Sequence, residues 1–317
     1  MKAFRKNVAI AIDGGGLRGI IAAKALTILE RELGTPLYKV FRLCAGTSTG
    51  SILAGGLVAG ADSESLLKLY IELGPRLFHR SLMSRVWLLR GYRYSREPLI
   101  RQFGEMVQGK KLGDLSEGEF PTELLTTTYD LVADRTRFVK SWKKEYEDWT
   151  ILKAVLASSA APTYFPVLEG QFTDGGVGAY NNPCFLAAYE IMHYLKWDLK
   201  ETTLISLGTG HAPEHVKVGE PNHFTVLDWL PRIIENRAQD SSDQQVSLVS
   251  NLFPDMDFRR FQVDLKESIN VDDFRKIPIL LEYGEEMGRK LLNDILDPRQ
   301  NDPLTTSFFP NPFLPKE

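Results

Sequence analysis

The sequence predicts an α/β fold in which helices cover a mainly parallel sheet. Twice near the N-terminus, an apolar segment runs into a glycine-containing turn and then into an apolar segment that suits a helix. Such units in succession are typical of a parallel sheet, because each helix carries the chain back to begin another strand in the same direction. The composition, with 43% hydrophobic and 25% charged residues, is that of an ordinary globular protein.

The first unit begins with a strand predicted at residues 8–12. This continuous apolar run is rich in β-branched residues and ends at Asp13, which a run of glycines follows. A helix is predicted at 17–29 because apolar residues recur there at helical spacing. Gly34 and Pro36 supply the stop signals of this helix.

The second unit has a strand at 40–45, the segment Gly46-Thr-Ser-Thr-Gly50 and an apolar helix at 52–58.

A basic and aromatic stretch at 80–96 has no clear period, and it predicts either a cap packed on the core or a contact with an anionic lipid surface. The tail at 303–317 is rich in proline and is expected to be extended. The other predicted elements are mostly helical chain between 66 and 108, strands at 123–129 and 136–142, a helix at 149–159, and strands at 203–207 and 259–263.

Charge and cysteine content narrow the function classes. The formal net charge of −3 gives no support to a nucleic-acid partner, which needs a concentrated basic face. Cys44 and Cys184 lack the close spacing of a zinc or redox motif, so we expect no disulfide framework and no metal. The N-terminus lacks a secretory signal, and no apolar run approaches the roughly 20 residues that span a bilayer. A cytoplasmic protein is therefore expected, with peripheral contact to a membrane left open.

The segment at 46–50 fits the G-x-S-x-G nucleophile elbow, with Ser48 at its centre. A sharp turn would expose the serine hydroxyl, and Gly46 and Gly50 remove side chains that would collide with neighbouring backbone. The helix that follows would direct its N-terminal N–H groups towards the place where negative charge develops during acyl transfer. An ordinary strand-to-helix turn with a capping hydroxyl also produces this pattern.

The loop Asp13-Gly14-Gly15-Gly16-Leu17-Arg18-Gly19 has two interpretations. Gly14, Gly16 and Gly19 satisfy the G-x-G-x-x-G pattern of a nucleotide-binding oxidoreductase. That pattern expects an acidic residue at the end of the second strand to hold a ribose hydroxyl, whereas this strand leads to a serine. In the other interpretation, the N–H groups of the three consecutive glycines form an oxyanion hole for a tetrahedral intermediate, and Arg18 supports the loop.

A serine hydroxyl needs a neighbouring base to accept its proton. Asp174 is the better candidate, because Gly175 and Gly176 let the chain turn sharply and bring the carboxylate close to another element. Partial burial would raise the pKa of Asp174 and favour proton acceptance from Ser48. The alternative is a full triad of Ser48, Asp174 and His211, since this histidine follows a strand and a glycine turn.

Together these segments resemble the patatin-like phospholipases. The glycine loop is similar to the family's oxyanion motif, the segment at 46–50 to its nucleophile elbow, and Asp174-Gly175-Gly176 to its catalytic aspartate motif. Two further stretches also resemble family signatures, Ala157-Ser-Ser-Ala-Ala-Pro-Thr-Tyr-Phe-Pro166 and Ser206-Leu-Gly-Thr-Gly210. The resemblance covers residues 6–212.

The resemblance implies a three-layer α/β/α fold and hydrolysis of acyl esters in glycerolipids by a Ser48–Asp174 dyad, without metal or cofactor. It divides the chain into a catalytic domain at 6–212 and a C-terminal helical lobe and tail at 213–317, packed on the same body. The expected partner is a phospholipid or another acyl lipid, with a homo-oligomer left open. Some bacterial relatives are defence phospholipases gated by cyclic nucleotides, which gives a second hypothesis with the same chemistry.

Overall fold

A mostly parallel sheet lies at the centre of the molecule, which confirms the predicted α/β fold. The structure is a computed structural model and describes residues 1–79, 91–117, 120–213, 219, 222 and 226–301, except for the side chains of 226–237. Seven strands of these residues form one sheet. They are β1 (Asn7–Ile12), β2 (Leu43–Thr47), β3 (Glu123–Asp130), β4 (Arg135–Lys140), β5 (Phe172–Asp174), β6 (Thr202–Leu207) and β7 (Asp257–Phe261).

The strand order is β4-β3-β2-β1-β6-β7, and β5 pairs with β3 outside that path. β1 pairs in parallel with β2 and with β6, and parallel pairing continues from β2 to β3 and from β6 to β7. β4 and β5 are both antiparallel to β3. The parallel centre requires crossover connections, which the helices supply.

Helices lie on both sides of this sheet. None of the described helices combines the length and the apolarity that crossing a membrane would require. The helices are α1 (Gly19–Leu33), α2 (Thr49–Val58), α3 (Ser63–Leu77), α4 (Glu97–Val107), α5 (Ile151–Ser158), α6 (Cys184–His193), α7 (Val226–Leu252) and α8 (Ile277–Leu292).

Alternate residues of β1 face opposite helical layers. Ile10 and Ile12 belong to the apolar core that the sheet shares with α1, α2, α3 and α8, whereas Ala9 and Ala11 pack with residues of α6 and α7. The strand is buried on both faces, which explains why its sequence is a continuous apolar run without alternation. The result is the three-layer α/β/α arrangement.

Some element boundaries differ from those predicted. The second strand begins at Leu43, three residues later than expected, because Leu37–Lys39 form a 3-10 turn that the chain leaves before it enters the sheet. Helix α2 begins at Thr49, directly after Ser48, and not at residue 52. Residues 80–90 of the basic stretch and the tail at 303–317 lie outside the described residues.

The C-terminal part of the chain contributes to both the sheet and its helical cover. β7 extends the sheet by pairing with β6, and α8 packs closely against α1. A Cβ atom at Gly284 would lie 3.1 Å from the Ile21 carbonyl oxygen and collide with Lys24, so glycine permits this close helix contact. The division of the chain into two domains at residue 212 stays a prediction.

Candidate active site

Ser48 occupies a strained turn between β2 and α2. Its backbone angles are φ 53° and ψ −121°, in a region that residues other than glycine rarely adopt. A Cβ atom at Gly46 would collide with the Gly50 carbonyl group, and one at Gly50 would collide with the carbonyl oxygen of Ile12. Both glycines of the predicted elbow are therefore required by close backbone approaches.

The elbow is held by hydroxyl groups on both sides. The Ser48 N–H donates a hydrogen bond to Ser158 Oγ at 2.9 Å. The Ser51 hydroxyl and the Ser51 N–H both donate to the Ser48 carbonyl oxygen, at 2.6 and 2.9 Å. These bonds fix the backbone of Ser48 and leave its side-chain hydroxyl directed elsewhere.

Sheet pairing brings Asp174 to this serine. At the end of β2, Thr47 is opposite Thr127 of β3, and the next residue of β3, Thr128, is opposite Asp174 of β5. β4 pairs with β3 along one edge. Along the opposite edge of β3, β2 pairs as far as Thr127, and β5 pairs from Thr128 onwards. The Ser48 hydroxyl then donates to Asp174 Oδ2 at 2.6 Å. Residues 126 positions apart in the chain therefore form a direct hydrogen bond.

The other carboxylate oxygen is fixed by the glycine turn. Gly176 N–H donates to Asp174 Oδ1 at 2.8 Å, and the Asp174 N–H donates to the Ala160 carbonyl oxygen at 3.1 Å. A Cβ atom at Gly175 would lie 2.5 Å from the Thr127 carbonyl oxygen, so only glycine fits there. The two predicted motif glycines therefore orient the carboxylate towards the serine.

Burial changes the ionisation of this carboxyl group. It raises the pKa of Asp174 to about 6, although the hydrogen bonds from Ser48 and Gly176 and the positive charge of Arg96 oppose the shift. A carboxylate with this pKa is a better proton acceptor than an exposed one and is still ionised at neutral pH.

His211 does not lie between the hydroxyl and the carboxylate. Its Nε2 atom is 2.6 Å from Gln239 Nε2 and 3.8 Å from Asp243 Oδ2, both on α7. A triad requires an imidazole that bridges the serine and the aspartate, whereas these two residues bond directly. The geometry therefore contradicts the triad and favours the dyad.

The glycine loop lies beside Ser48, but its three amides are not equivalent. The Gly14 N–H donates to the Asn181 carbonyl oxygen at 3.0 Å, so the prediction that this amide binds an oxyanion is wrong. Throughout the part of the chain that the structure describes, the N–H groups of Gly15 and Gly16 donate to no atom. Both residues line the cavity that contains Ser48. They are the two amides that remain for an oxyanion.

Protein atoms fill the space next to the loop glycines. A Cβ atom at Gly15 would be 2.7 Å from Thr209 Cβ, and one at Gly16, where φ is +57°, would be 2.7 Å from the Val271 carbonyl oxygen. The Arg18 N–H closes the turn by donating to the Gly15 carbonyl oxygen at 3.2 Å. Because neighbouring protein groups explain the glycines, the G-x-G-x-x-G spacing gives no support to a dinucleotide site.

Comparison with known proteins agrees with this geometry. Residues 10–188 match the family model described as patatin-like phospholipase. The chain belongs to the patatin-like phospholipase family.

Similar proteins include some from plants and bacteria. Patatin-like protein 2 of Arabidopsis thaliana is 28% identical over an alignment of 342 positions, which covers 89% of this chain and 82% of the relative. The cGAMP-activated phospholipase of Pseudomonas aeruginosa is 33% identical over 198 residues, which cover 59% of this chain and 57% of the relative. Among solved structures, VipD from Legionella pneumophila aligns with 92% of this chain and 67% of its own, with 14% identity and a TM-score of 0.48.

The two further patatin-like stretches support the site. In the first, Ser158 holds the elbow amide, as described above. In the second, the Thr209 hydroxyl donates to the Gly14 carbonyl oxygen at 2.8 Å and so fixes the start of the glycine loop. These contacts give a structural reason for both sequence motifs.

A buried ion pair that was not predicted from the sequence lies under this patatin-like site. Arg260 of β7 donates to both carboxylate oxygens of Asp13, at 2.9 and 2.7 Å, and also to Ser206 Oγ at 3.0 Å. Both charged residues are buried. The adjacent arginines at 259–260, inside a predicted strand, were the available signal, because a charge in a buried strand requires a partner.

A cavity of about 270 Å³ opens beside Ser48. Within the described residues, no group of three or more His, Cys, Asp or Glu side chains is arranged so that it could hold a metal ion. One part of the cavity wall is apolar and is formed by Leu69, Leu73, Leu77, Phe78, Tyr164 and Phe165. Another part is polar and is formed by Asn181, Gln239, Ser242, Asp243, Gln262 and Asn270.

Proposed function

We propose that this protein is a lipid acyl hydrolase of the phospholipase A or lysophospholipase type. Ser48 is the nucleophile and Asp174 is the base. The observation that carries the proposal is the 2.6 Å hydrogen bond between Ser48 Oγ and Asp174 Oδ2. Beside it lie the amides of Gly15 and Gly16, which donate to no atom of the described residues. Family membership supports the same chemistry.

The reaction begins when Ser48 Oγ attacks the ester carbonyl carbon and its proton passes to Asp174. The carbonyl oxygen becomes an oxyanion, which accepts hydrogen bonds from Gly15 and Gly16 N–H. As the intermediate collapses, the ester C–O bond breaks, and the leaving alcohol takes the proton from Asp174. Water then attacks the acyl-enzyme as one of its protons passes to Asp174. When the bond between the acyl group and Ser48 Oγ breaks, Asp174 returns this proton to Ser48 Oγ, which releases the fatty acid and restores the serine hydroxyl.

The cavity wall supports an acyl lipid as substrate. Its apolar part, which includes α3 side chains and aromatic rings, suits a hydrocarbon chain.

Phospholipids are organised in bilayers, so we propose a cytoplasmic protein that reaches its substrate by peripheral contact with a membrane. A liposome flotation assay tests the contact: the protein should float with phospholipid vesicles, and a protein that stays in the dense fraction would contradict it.

The central test measures the fatty acids that are released from mixed phospholipids, by mass spectrometry. Ser48→Ala should reduce release to background, and Asp174→Asn should reduce it by about 10²–10⁴-fold, because the general base is lost. His211→Ala should retain most activity. Asp148→Asn, which changes an exposed carboxylate, is the matched control. Substantial release by Ser48→Ala would refute the proposed nucleophile.

One relative favours a regulated form of the same activity. The P. aeruginosa relative is named for activation by cGAMP. If that property extends to this chain, added cGAMP should raise fatty-acid release by the wild type and leave Ser48→Ala inactive. Equal rates with and without the nucleotide would remove this hypothesis and leave the hydrolase proposal intact.

A further inference from the structure

Most of the polar part of the cavity wall comes from residues that follow the catalytic motifs in the chain. Helix α7 provides Gln239, Ser242 and Asp243, whose spacing of three and four residues places them on one helix face. All three lie beyond residues 10–188, which match the family model. The family motifs therefore leave the chemistry of this wall open.

Asp243 brings a carboxylate to that wall. Its side chain is 38% exposed, and no described residue donates a hydrogen bond to it. His211 Nε2 is 3.8 Å away. Burial lowers the pKa of His211, as does the positive charge of Arg299, so the imidazole does not supply a full positive charge at neutral pH.

The cations near Asp243 already have carboxylate partners. Arg260 is held by both oxygens of Asp13. Arg299 contacts Asp297 Oδ1 at 2.8 Å and Asp264 Oδ1 at 3.0 Å. This group of side chains therefore carries more negative than positive charge. Asp13 and Asp243 both line the cavity, but Asp13 is bonded to Arg260, whereas Asp243 lies there beside neutral amides and a hydroxyl.

We infer that the polar part of the cavity wall selects glycerolipids whose head group carries a positive charge, and that Asp243 determines this specificity. The inference rests on the proposed function. When the ester carbonyl lies at Ser48 and the acyl chain lies along the apolar wall, the glycerol and head group must leave in another direction. The polar part of the wall offers hydrogen-bond partners for these groups. An ethanolamine or choline ammonium group would neutralise Asp243, whereas an anionic head group would be repelled.

A competition assay tests this inference. Phosphatidylethanolamine and phosphatidylglycerol with identical acyl chains are placed in the same neutral-detergent micelles at pH 8, so that both lipids share one surface. Mass spectrometry separates the two lysophospholipid products. The wild type should favour phosphatidylethanolamine by about fivefold, and Asp243→Asn should bring the ratio close to one. Asp243→Glu should restore the preference.

Asp240→Asn is the matched control, because Asp240 is on the same helix but is exposed and bonded to Gln244 at 2.8 Å. It should keep the wild-type product ratio. A general loss of folded enzyme would lower both products equally and would not change the ratio. Serine-dependent release with the same ratio in wild type and Asp243→Asn would overturn the inference alone. No serine-dependent release from either lipid would instead overturn the proposed function.

Discussion

Arg96 is a charged residue that acts on Asp174 from outside the hydrogen-bonded pair. It is 6% exposed, and its Nη1 atom donates to the Leu156 carbonyl oxygen at 3.4 Å. Its Nε and Nη2 atoms have no partner among the described residues. Burial lowers the pKa of Arg96 to about 10, while the negative charge of Asp174 opposes that shift. Such an incompletely bonded guanidinium is costly to bury, which suggests an electrostatic role.

The pH dependence of activity should reveal that role. A base must be unprotonated to accept the serine proton, so wild-type activity should fall as the pH falls through about 6, the pKa of Asp174. Arg96→Met removes a positive charge that lowers this pKa. The acid limb should therefore move to higher pH by about 0.5–1 unit.

The measurement is the pH profile of kcat on a soluble ester. Arg96→Lys retains the positive charge and should keep the acid limb near its wild-type position. If the acid limb of the pH profile does not move in Arg96→Met and kcat falls at every pH, Arg96 has a purely structural role.

At the scale of single elements, α3 provides the apolar wall of the cavity. Leu69, Leu73 and Leu77 recur every four residues and line the same side. The N-terminus of the helix is fixed by Asp62, whose carboxylate accepts a hydrogen bond from Ser65 N–H at 2.7 Å. A helix that presents a row of leucines suits an extended acyl chain, and the central leucine should limit the length of chain that fits.

Leu73→Trp should shift the substrate preference towards short acyl chains. The larger side chain would occupy space that a long chain needs, so the ratio of kcat/KM for a C16 ester to that for a C4 ester should fall by about tenfold, a change that corresponds to 1.4 kcal/mol. Ile71→Trp is the matched control, because Ile71 is 37% exposed and does not line the cavity. An unchanged ratio in Leu73→Trp would mean that the acyl chain lies elsewhere.

The elements differ in how far the sequence could predict them. The strand at 8–12 and the elbow were predictable because apolar runs and glycine turns are local signals. β5 has three residues, too few for any periodic pattern, and its position depends on pairing with β3. Helix α6 was also missed, since Cys184, Leu186 and Ala187 are buried and leave no clear amphipathic period. The pairing of Ser48 with Asp174 was predicted from the glycine turn after the aspartate and from the resemblance. The bond from the Gly14 N–H to Asn181 could not be predicted, because it depends on tertiary structure.

At the scale of the whole molecule, the Asp13–Arg260 pair joins the two ends of the chain beneath the site. Asp13 begins the glycine loop, and Arg260 lies 247 residues later, on β7. Each partner has lost most of its solvation, so the pair depends on its two charge-assisted hydrogen bonds. Replacing the arginine would leave an uncompensated carboxylate in the interior. The same change would release Asp13, the residue at which the glycine loop begins.

Arg260→Met should therefore lower the free energy of unfolding by about 3–5 kcal/mol, as measured by urea denaturation. Arg275→Met changes an arginine whose side chain is 80% exposed, and its effect should not exceed about 1 kcal/mol. Adding Asp13→Asn to Arg260→Met should recover part of the stability, because it removes the buried charge that has lost its partner. If Arg260→Met and Arg275→Met were equally stable, the C-terminal strand would not be tied to the catalytic loop through this pair.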